Sequence, residues 1–425
     1  MTRERINLDA MLSPQSARVL VRVDESGDAQ QAWFDLAGLP RVDAHLVGQP
    51  VREVPRIVER LCGICPAAHH LAGIRALEAL LGLGATSWQA ENMRRLLHHG
   101  SAMDALAVRL FAEHRERCLQ LRRVGKLAMK VAGSPGHFPS TAVPGGVSTA
   151  TDPALVRELS EVIAEAVEAA EHLAEGLVRD AAMADVFAGP DVALVDESGR
   201  PDLLGTRLRA VTADGDVVVR SAAPPEWPTL VGEARPGQTA PRPFLTVLGQ
   251  DKGVYRVGPM AQLRIGALTT PRAAALQGRW LTAHGGVVAA RAIMLLHSCE
   301  VVASLAANPA ELDAEPNSPI PETTSPTLEP TSPFPELVEG IGWVDSPRGL
   351  LVHAYTADAT GRLVKAQILT PTAQNEPWLG QMLLGAVGSP ERVEASIQTA
   401  DPCLPCVSAP PGQMPVTVET IEQES

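Results

Sequence analysis

Several features that define other protein classes are scarce or missing in this sequence of 425 residues. Aromatic residues make up 3% of the chain, and no run of 18 apolar residues appears, so we expect no membrane span. The formal net charge of -13 argues against nucleic-acid binding, which usually requires a basic surface. The N-terminal sequence MTRERINLDAMLS lacks the apolar stretch of a secretory signal, which predicts a cytoplasmic protein.

Nucleotide-binding fingerprints are missing as well. Neither GxxxxGK[ST] nor GxGxxG occurs, so we do not expect this chain itself to bind NAD. Cysteines number six, and four of them form two CxxC pairs. In a long chain without a secretory signal, this spacing indicates metal binding or redox chemistry rather than a disulfide framework.

The remaining composition, 45% hydrophobic and 20% charged, is typical of a globular protein with a large core. Apolar residues recur at helical spacing in long segments, and alternating patterns predict short strands. The helical segments are 69–84, 92–131, 154–183 and 278–308, and the strands fall within 17–38, 192–222 and 342–372. We therefore predict an α+β fold with a mainly helical core and small peripheral β-sheets.

The predicted organisation is a single unit that spans residues 1–425. Residues 311–336 are dominated by proline, threonine, serine and acidic residues, which cannot bury enough apolar surface to form a core. We interpret them as a surface insertion. Residues 410–425, which follow the last cysteine pair, are a candidate C-terminal extension.

The two CxxC pairs lie at opposite ends of the chain, in RLCGICPAAHH from Arg60 and in DPCLPC from Asp401. Four soft thiolates suit zinc, iron–sulfur clusters, copper(I) or nickel. In a structural zinc site the second pair usually follows within about 15–20 residues. Here Cys65 and Cys403 are 338 positions apart, which favours a deep site that joins the chain ends. A structural zinc site and a redox-active CxxC pair remain open alternatives.

These motifs also carry a family resemblance. RLCGICPAAHH fits an RxCGxCxxxH signature, and DPCLPC fits a C-terminal DPCxxC signature. Together with KGVYRVGPMAQL, VPGGVS and DSPRGLLVHAY, they resemble the large, catalytic subunit of [NiFe]-hydrogenases, in particular the soluble, bidirectional and NAD-linked branch. The resemblance implies reversible H2 activation in a hetero-oligomer, with electrons passing to an iron–sulfur small subunit, then to a diaphorase-type acceptor module.

The resemblance also implies roles for individual residues. Cys62 and Cys403 would be terminal ligands of nickel, and Cys65 and Cys406 would bridge nickel and iron. The iron would carry carbon monoxide and cyanide.

Three further side chains would surround these metals. Arg348 would lie over their open side, where its guanidinium can hydrogen-bond cyanide. Thr372 would donate a second hydrogen bond to cyanide, and His69 would hydrogen-bond near a bridging thiolate without ligating the metals. Arg348 and Cys403 are the residues predicted to take part in the chemistry.

Three stretches depart from the family pattern. The segment LDAMLSPQSARVLV lacks the glutamate that relays protons in these enzymes, so Glu53 or Glu59 would have to provide another route. Asp43 stands in for a magnesium-binding glutamate, and Ala409 occupies a position where many members have histidine or arginine. Magnesium is therefore predicted only with a degenerate ligand set.

Two alternative functions are compatible with these losses. The chain could be a homologue without turnover that serves as an H2 sensor or an assembly scaffold. It could also be a structural protein in which zinc links the chain ends.

Overall fold

The computed structural model describes residues 16–36, 42–110, 114–179, 187–317 and 337–421. The helices are α1 (Asp43–Leu46), α2 (Val54–Val58), α3 (Pro66–Leu80), α4 (Trp88–Val108), α5 (Arg115–Val131), α6 (Pro153–Arg179), α7 (Trp227–Leu230), α8 (Gly249–Lys252), α9 (Pro259–Ile265), α10 (Pro271–Thr282), α11 (Val287–Ala307), α12 (Pro371–Leu384) and α13 (Pro390–Ala400). Short 3-10 turns occupy Pro224–Glu226, Thr246–Leu248, Pro309–Leu312 and Pro405–Ser408.

The strands form small separate sheets. They are β1 (Ala17–Val23), β2 (Ala29–Phe34), β3 (Ala142–Val143), β4 (Gly146–Val147), β5 (Asp191–Val195), β6 (Arg207–Val211), β7 (Val217–Ala222), β8 (Val231–Glu233), β9 (Pro243–Leu245), β10 (Leu337–Ser346), β11 (Gly349–Asp358), β12 (Leu363–Leu369) and β13 (Val416–Ile421). The sheet orders are β13-β1-β2, β3-β4, β5-β6-β7, β8-β9 and β10-β11-β12. The predicted α+β architecture is confirmed.

The helical core is built around α11, which packs against α4 and α6, while α5 packs against α4 and α6. Helices α4 and α5 approach closely at two glycines: a Cβ atom on Gly100 would lie 2.8 Å from the carbonyl oxygen of Gly125. Side chains larger than hydrogen would therefore force these two helices apart. The sequence pattern left open whether 92–131 is one helix or two, and the structure has two.

The predicted helix at 278–308 is instead the end of α10 followed by α11. The break falls at His284, whose φ of 48° lies in the left-handed region, and at Gly285. A Cβ atom on Gly285 would lie 2.1 Å from the indole of Trp280, so only glycine lets the turn pack against this ring. Apolar periodicity continues across the break and therefore concealed it.

Helix α11 is long and apolar enough to cross a membrane by length and composition. In its most apolar window, 67% of the residues are buried inside the fold. This burial is typical of a core helix.

The first sheet brings the two ends of the described chain together. The predicted N-terminal hairpin is present as β1 and β2, and β13 pairs in parallel with β1, with Ala17 opposite Val416. Arg18 on β1 bonds to Glu419 and forms an ion pair of 2.7 Å with Asp35. Part of the 410–425 segment is therefore a strand of this sheet. Most of the predicted 311–336 insertion lies outside the described residues.

Candidate metal centre

The first cysteine pair occupies the turn that leads into α3. Pro66 is the first residue of the helix, where its fixed φ and missing N–H are tolerated, and Cys65 precedes it as the N-cap. The backbone N–H of Ile64 donates to the sulfur of Cys62 at 3.4 Å. The turn therefore fixes both sulfurs at the buried start of one helix.

The second pair follows α13, which ends at Asp401 in the left-handed conformation with φ 52°. After this sharp turn, the backbone N–H of Cys403 donates to the hydroxyl oxygen of Thr372 at 2.8 Å. Cys406 lies in the 3-10 turn Pro405–Ser408 and is buried. The end of α13 and the hydrogen bond between Cys403 and Thr372 thus hold this motif against α12.

Three sulfurs from the two motifs converge. The Sγ atom of Cys62 lies 3.0 Å from that of Cys403 and 3.3 Å from that of Cys65, and the Cys65–Cys403 distance is 3.8 Å. These separations exceed a disulfide bond of about 2.05 Å. The distances of Cys65 to Cys62 and to Cys403 suit thiolates that share a metal, because metal–sulfur bonds of about 2.3 Å place neighbouring sulfurs roughly 3.3–3.8 Å apart. The Cys62–Cys403 distance is shorter than this range.

Cys406 stands apart from this group in the part of the chain that the structure describes. Its sulfur is not among the close sulfur contacts, and its charged neighbours are Arg109 and Asp401. Burial raises the pKa of the Cys406 thiol to about 11. The structure therefore brings three of the four predicted cysteine ligands together and leaves the fourth three positions away along the same turn.

The pKa values of the clustered thiols shift in opposite directions. Hydrogen bonds from Cys403 and Cys65 lower the pKa of Cys62. Contacts with the other two sulfurs, together with burial, raise the pKa of Cys65. A soft cation would replace these protons and relieve the crowding of three sulfurs.

Arg348 lies in the tight turn between β10 and β11 and is buried. Its Nε donates to the carbonyl oxygen of Asp401, and its terminal nitrogen forms an ion pair with the Asp401 carboxylate, both at 3.1 Å. Although burial opposes the charge, Asp401 and the thiols of Cys403 and Cys65 together raise the pKa of Arg348. The guanidinium is therefore a permanent positive charge beside the sulfurs.

Close backbone packing holds this turn in place. Gly258 has φ 102° and Gly349 has φ 125°, both outside the range that other residues readily adopt. A Cβ atom on Gly258 would lie 2.6 Å from the carbonyl oxygen of Arg348. Larger residues at Gly258 would displace the turn and, with it, the guanidinium.

Arg109 is a site residue that sequence reasoning missed. It forms a second ion pair with the Asp401 carboxylate at 2.9 Å and donates to the carbonyl oxygen of Val407 at 2.9 Å. The sequence offered no signal for it, because an arginine at the end of α4 is ordinarily solvated. A cavity of about 380 Å³ borders Arg109, Gly63 of the first motif, and Ser408, which lies two residues after the second motif.

His69 lies on the first turn of α3, and its ligand atom is within 4.8 Å of the sulfurs of Cys62 and Cys65. Its Nδ1 contacts Nε2 of His353 at 3.1 Å, and Nδ1 of His353 contacts the hydroxyl of Tyr355 at 2.5 Å. His353 and Tyr355, which sequence reasoning also missed, lie two apart on β11 and so share a face. That period-2 spacing in LLVHAY was the available signal.

Glu376 is another residue that the sequence analysis did not single out. It lies on α12 four residues after Thr372, which places both on one face of the helix. Its side chain is 1% exposed, and Arg242 Nε lies 3.7 Å away. Burial is the main cause that raises the pKa of Glu376 to about 7.

The residues proposed to compensate for the missing relay glutamate differ in their surroundings. Glu53 is exposed and lies 3.9 Å from Arg56. Glu59 is buried and lies 3.2 Å from Nδ1 of His70. Residues 1–15, which include the start of the divergent segment, lie outside the described residues.

Together these features define a buried thiolate centre at the junction of the two chain ends. A family model described as nickel-dependent hydrogenase matches residues 42–115. A vhu-type F420-non-reducing hydrogenase chain from Methanocaldococcus jannaschii is 27% identical, over 85% of this chain and 93% of that protein. The beta chain of the NAD-reducing hydrogenase HoxS from Cupriavidus necator is 26% identical, over 95% and 94%.

Solved structures agree with these sequence comparisons. An NAD+-reducing [NiFe]-hydrogenase in the H2-reduced state is similar with a TM-score of 0.76 and 26% identity, over 90% of this chain and 94% of that one. A [NiFeSe]-hydrogenase from Dm. baculatum shares the fold with a TM-score of 0.65 and 16% identity, over 91% and 95%. In sequence and in fold, the chain is therefore similar to nickel-dependent hydrogenases.

Proposed function

We propose that this chain is the catalytic large subunit of a [NiFe]-hydrogenase that activates H2 reversibly and passes electrons to an iron–sulfur partner. The observation that carries the proposal is the convergence of Cys62, Cys65 and Cys403 from the two chain ends, with sulfurs 3.0–3.8 Å apart. The family and the fold support nickel and iron as the metals.

In this proposal, Cys62 and Cys403 would hold nickel, and Cys65 and Cys406 would hold nickel together with iron. A nickel–iron centre with carbon monoxide and cyanide on iron would supply the site at which H2 is split into two protons and two electrons. The thiolates provide the soft donor set that nickel requires. The dry surroundings of Cys65 and Cys406, both buried, strengthen electrostatic interactions there.

Arg348 and Thr372 would recognise the diatomic ligands of iron. The guanidinium of Arg348 is anchored on Asp401, so its position does not depend on a bound ligand. The oxygen of Thr372 accepts the N–H of Cys403, which leaves the hydroxyl proton for a donor role toward cyanide. Both side chains would act through hydrogen bonds to the iron ligands.

Electron transfer requires a partner, because this chain has too few cysteines for a cluster of its own. Outside the two motifs it has only Cys118 and Cys299, which are both fully buried, on α5 and α11. An iron–sulfur small subunit would therefore carry the electrons away. The NAD-reducing relative supports a diaphorase-type acceptor module beyond it, and the cytoplasmic location stays a prediction.

For magnesium the chain offers a weak ligand set. Asp43 begins the short helix α1 and is partly exposed, where its carboxylate accepts from the N–H of Ala44 at 3.1 Å. Ala409 is buried and has no side-chain ligand. Any magnesium would therefore depend on backbone carbonyls and water.

The first test is infrared spectroscopy of the chain co-purified with its partner, in the window where metal-bound carbon monoxide and cyanide absorb. We expect these bands together with equal amounts of nickel and iron. Zinc without these bands would overturn the proposal in favour of a structural zinc protein. Bands without H2-dependent dye reduction would identify a homologue without turnover.

Cys403→Ser tests the assignment of the second motif. We expect nearly complete loss of nickel, because a serine hydroxyl is a poor ligand for this soft metal site. Metal analysis of the purified complex measures the loss. Cys118→Ser, which changes a fully buried cysteine outside both motifs, is the control and should retain nickel.

A further inference from the structure

Arg109 contacts the second cysteine motif on both sides of its cysteines. Its Nε atom forms an ion pair of 2.9 Å with the carboxylate of Asp401, two residues before Cys403. A terminal nitrogen of the same guanidinium donates to the carbonyl oxygen of Val407, the residue after Cys406, at 2.9 Å. One side chain therefore spans the whole motif, from its first residue to the residue that follows its last cysteine.

The contact with Val407 holds the turn that carries Cys406. The backbone hydrogen bonds of residues 404–409 are local: the N–H groups of Val407 and Ala409 donate to carbonyl oxygens of the same segment, at 3.4 Å and 3.1 Å. Among the described residues, Arg109 supplies the one hydrogen bond that reaches this segment from another element of the fold. The position of Cys406 relative to the rest of the centre therefore depends on this arginine.

Both the location and the chemistry of Arg109 suit this double contact. The residue is the C-cap of α4, where the unpaired carbonyl groups of the helix end favour a positive charge. Its planar guanidinium presents several N–H groups in a fixed fork, so it can bind a carboxylate and a carbonyl oxygen together. A lysine would keep the charge at one point but could not hold both groups in this geometry.

The charges around Asp401 do not balance. Arg109 and Arg348 both approach the same oxygen, Oδ1, of this single carboxylate, at 2.9 Å and 3.1 Å. One positive charge remains, and burying a charge without a partner is costly. The sulfurs of Cys403 and Cys406 are negative neighbours of Arg109 when they are thiolates. The second arginine therefore places a positive charge where it offsets the charge of thiolate ligands.

We propose that Arg109 is a positioning residue: it clamps the second cysteine motif on both sides, fixes the turn that carries Cys406 and gives the sulfur centre a second positive charge beside that of Arg348. The clamp follows from the contacts of this chain alone. The effect of the charge on a nickel–iron centre rests on the proposed function.

Arg122 provides a matched control, because it lines the same cavity as Arg109 and also pairs with a carboxylate. Its partner is Asp104, at 2.7 Å, and among the described residues Arg122 makes no hydrogen bond to the cysteine motif. Arg109→Met and Arg122→Met each remove one arginine beside the cavity. Arg109→Lys keeps the positive charge and removes the two-sided contact.

The first test is amide hydrogen exchange of the full chain without metal, read by mass spectrometry over residues 404–409. We expect exchange there to be faster by about tenfold or more in Arg109→Met and in Arg109→Lys, because both variants lose the bridge to Val407. The turn Pro309–Leu312, which Arg109 does not contact, should exchange as before. Arg109→Lys keeps the test decisive if Arg109→Met folds poorly. Unchanged exchange in both variants, or an equal rise in Arg122→Met, would overturn the clamp.

The second test reads the carbon monoxide and cyanide bands of the metal-loaded complex. Loss of a positive charge beside the sulfurs increases the electron density at iron, so we expect lower band frequencies in Arg109→Met. The shift should be smaller in Arg109→Lys, which keeps the charge, and absent in Arg122→Met. Bands of Arg109→Met identical to those of the unmodified complex would overturn the electrostatic role. Missing bands in the unmodified complex would overturn the proposed function while leaving the exchange result intact.

Discussion

Asp401 and Glu376 are both buried acidic residues near the second cysteine motif, but their surroundings are opposite. The carboxylate of Asp401 forms ion pairs with Arg109 at 2.9 Å and Arg348 at 3.1 Å. Neither oxygen of Glu376 has a hydrogen bond of ordinary geometry among the described residues, and Arg242 lies 3.7 Å away. Burial alone therefore does not decide the role of a carboxyl group, because cations within contact distance can offset the cost of burying its charge.

The contrast predicts opposite responses to the loss of each charge. Asp401 anchors the guanidinium of Arg348, which faces the thiols. Burial lowers the pKa of a third arginine, Arg291, and the charge of Asp401 opposes this fall. Among the described residues, Glu376 does not anchor a buried arginine in this way. Its charge is a burden on stability wherever it is ionised.

The largest effect is expected for Asp401→Asn. Asparagine tolerates the left-handed conformation that Asp401 adopts, so the substitution mainly removes the charge. Arg109 and Arg348 would then lack their shared carboxylate, and we expect a loss of about 3–5 kcal/mol in the free energy of unfolding. Denaturant unfolding of the purified chain measures it. A loss below about 1 kcal/mol would show that the arginines do not depend on this carboxylate.

Glu376→Gln should have the opposite sign. The carboxyl pKa is raised from 4.5 to about 7 in the folded chain, so the folded state binds the proton more tightly than the unfolded state. Stability from this group is therefore lost as the pH rises from about 4.5 to 7. Above pH 7 the glutamine variant should be more stable by at most about 3 kcal/mol, and the advantage should vanish near pH 4.

Unfolding curves of both proteins at pH 5 and pH 8 measure this difference. Glu394→Gln is the matched control, because Glu394 is also buried but accepts from the N–H of Gly412 at 2.7 Å. Because the substitution removes the charge that accepts this hydrogen bond, we expect the variant to be less stable than the unmodified chain at pH 8. An equal gain in both variants would mean that the missing partner of Glu376 is not the cause.

Arg348→Met should give an intermediate loss. It removes two hydrogen bonds to Asp401, but Arg109 still neutralises that carboxylate. We expect destabilisation of about 2 kcal/mol, the range for hydrogen bonds to a charged group. Thermal unfolding of Arg348→Met and of Asp401→Asn should be compared. The difference measures how much of the stabilisation by Asp401 depends on Arg348 and how much on Arg109. A loss equal to that of Asp401→Asn would assign the whole effect to Arg348.

The smallest effect is expected for Arg242→Met. The side chain is 29% exposed and lies 3.7 Å from Glu376, so solvent screens the interaction. We expect the pKa of Glu376 to rise further and stability at pH 8 to fall by less than about 1 kcal/mol. Titration of the Glu376 carboxyl band by infrared difference spectroscopy checks the direction. A fall in this pKa would contradict the assigned attraction.

The local elements were largely predictable from the sequence, with errors where packing decides. The alternation within 17–38 identified the hairpin β1–β2, and helical spacing identified α3, α4 and α6. The break before α11 was missed because it depends on Gly285 fitting against Trp280 rather than on periodicity. The pairing of β13 with β1 was missed because strand partners far apart in the chain leave no local pattern.

The sequence by itself determined the two cysteine motifs, the family that they resemble and the helical character of the fold, because these depend on residue types at short spacing. Only the tertiary structure decided which sulfurs meet, that Asp401 anchors Arg348, that His69 contacts His353, and that Glu376 is buried with Arg242 3.7 Å away. The physical reason is that burial, hydrogen-bond direction and charge compensation depend on groups separated by tens to hundreds of residues. Their positions are set by packing of the whole fold.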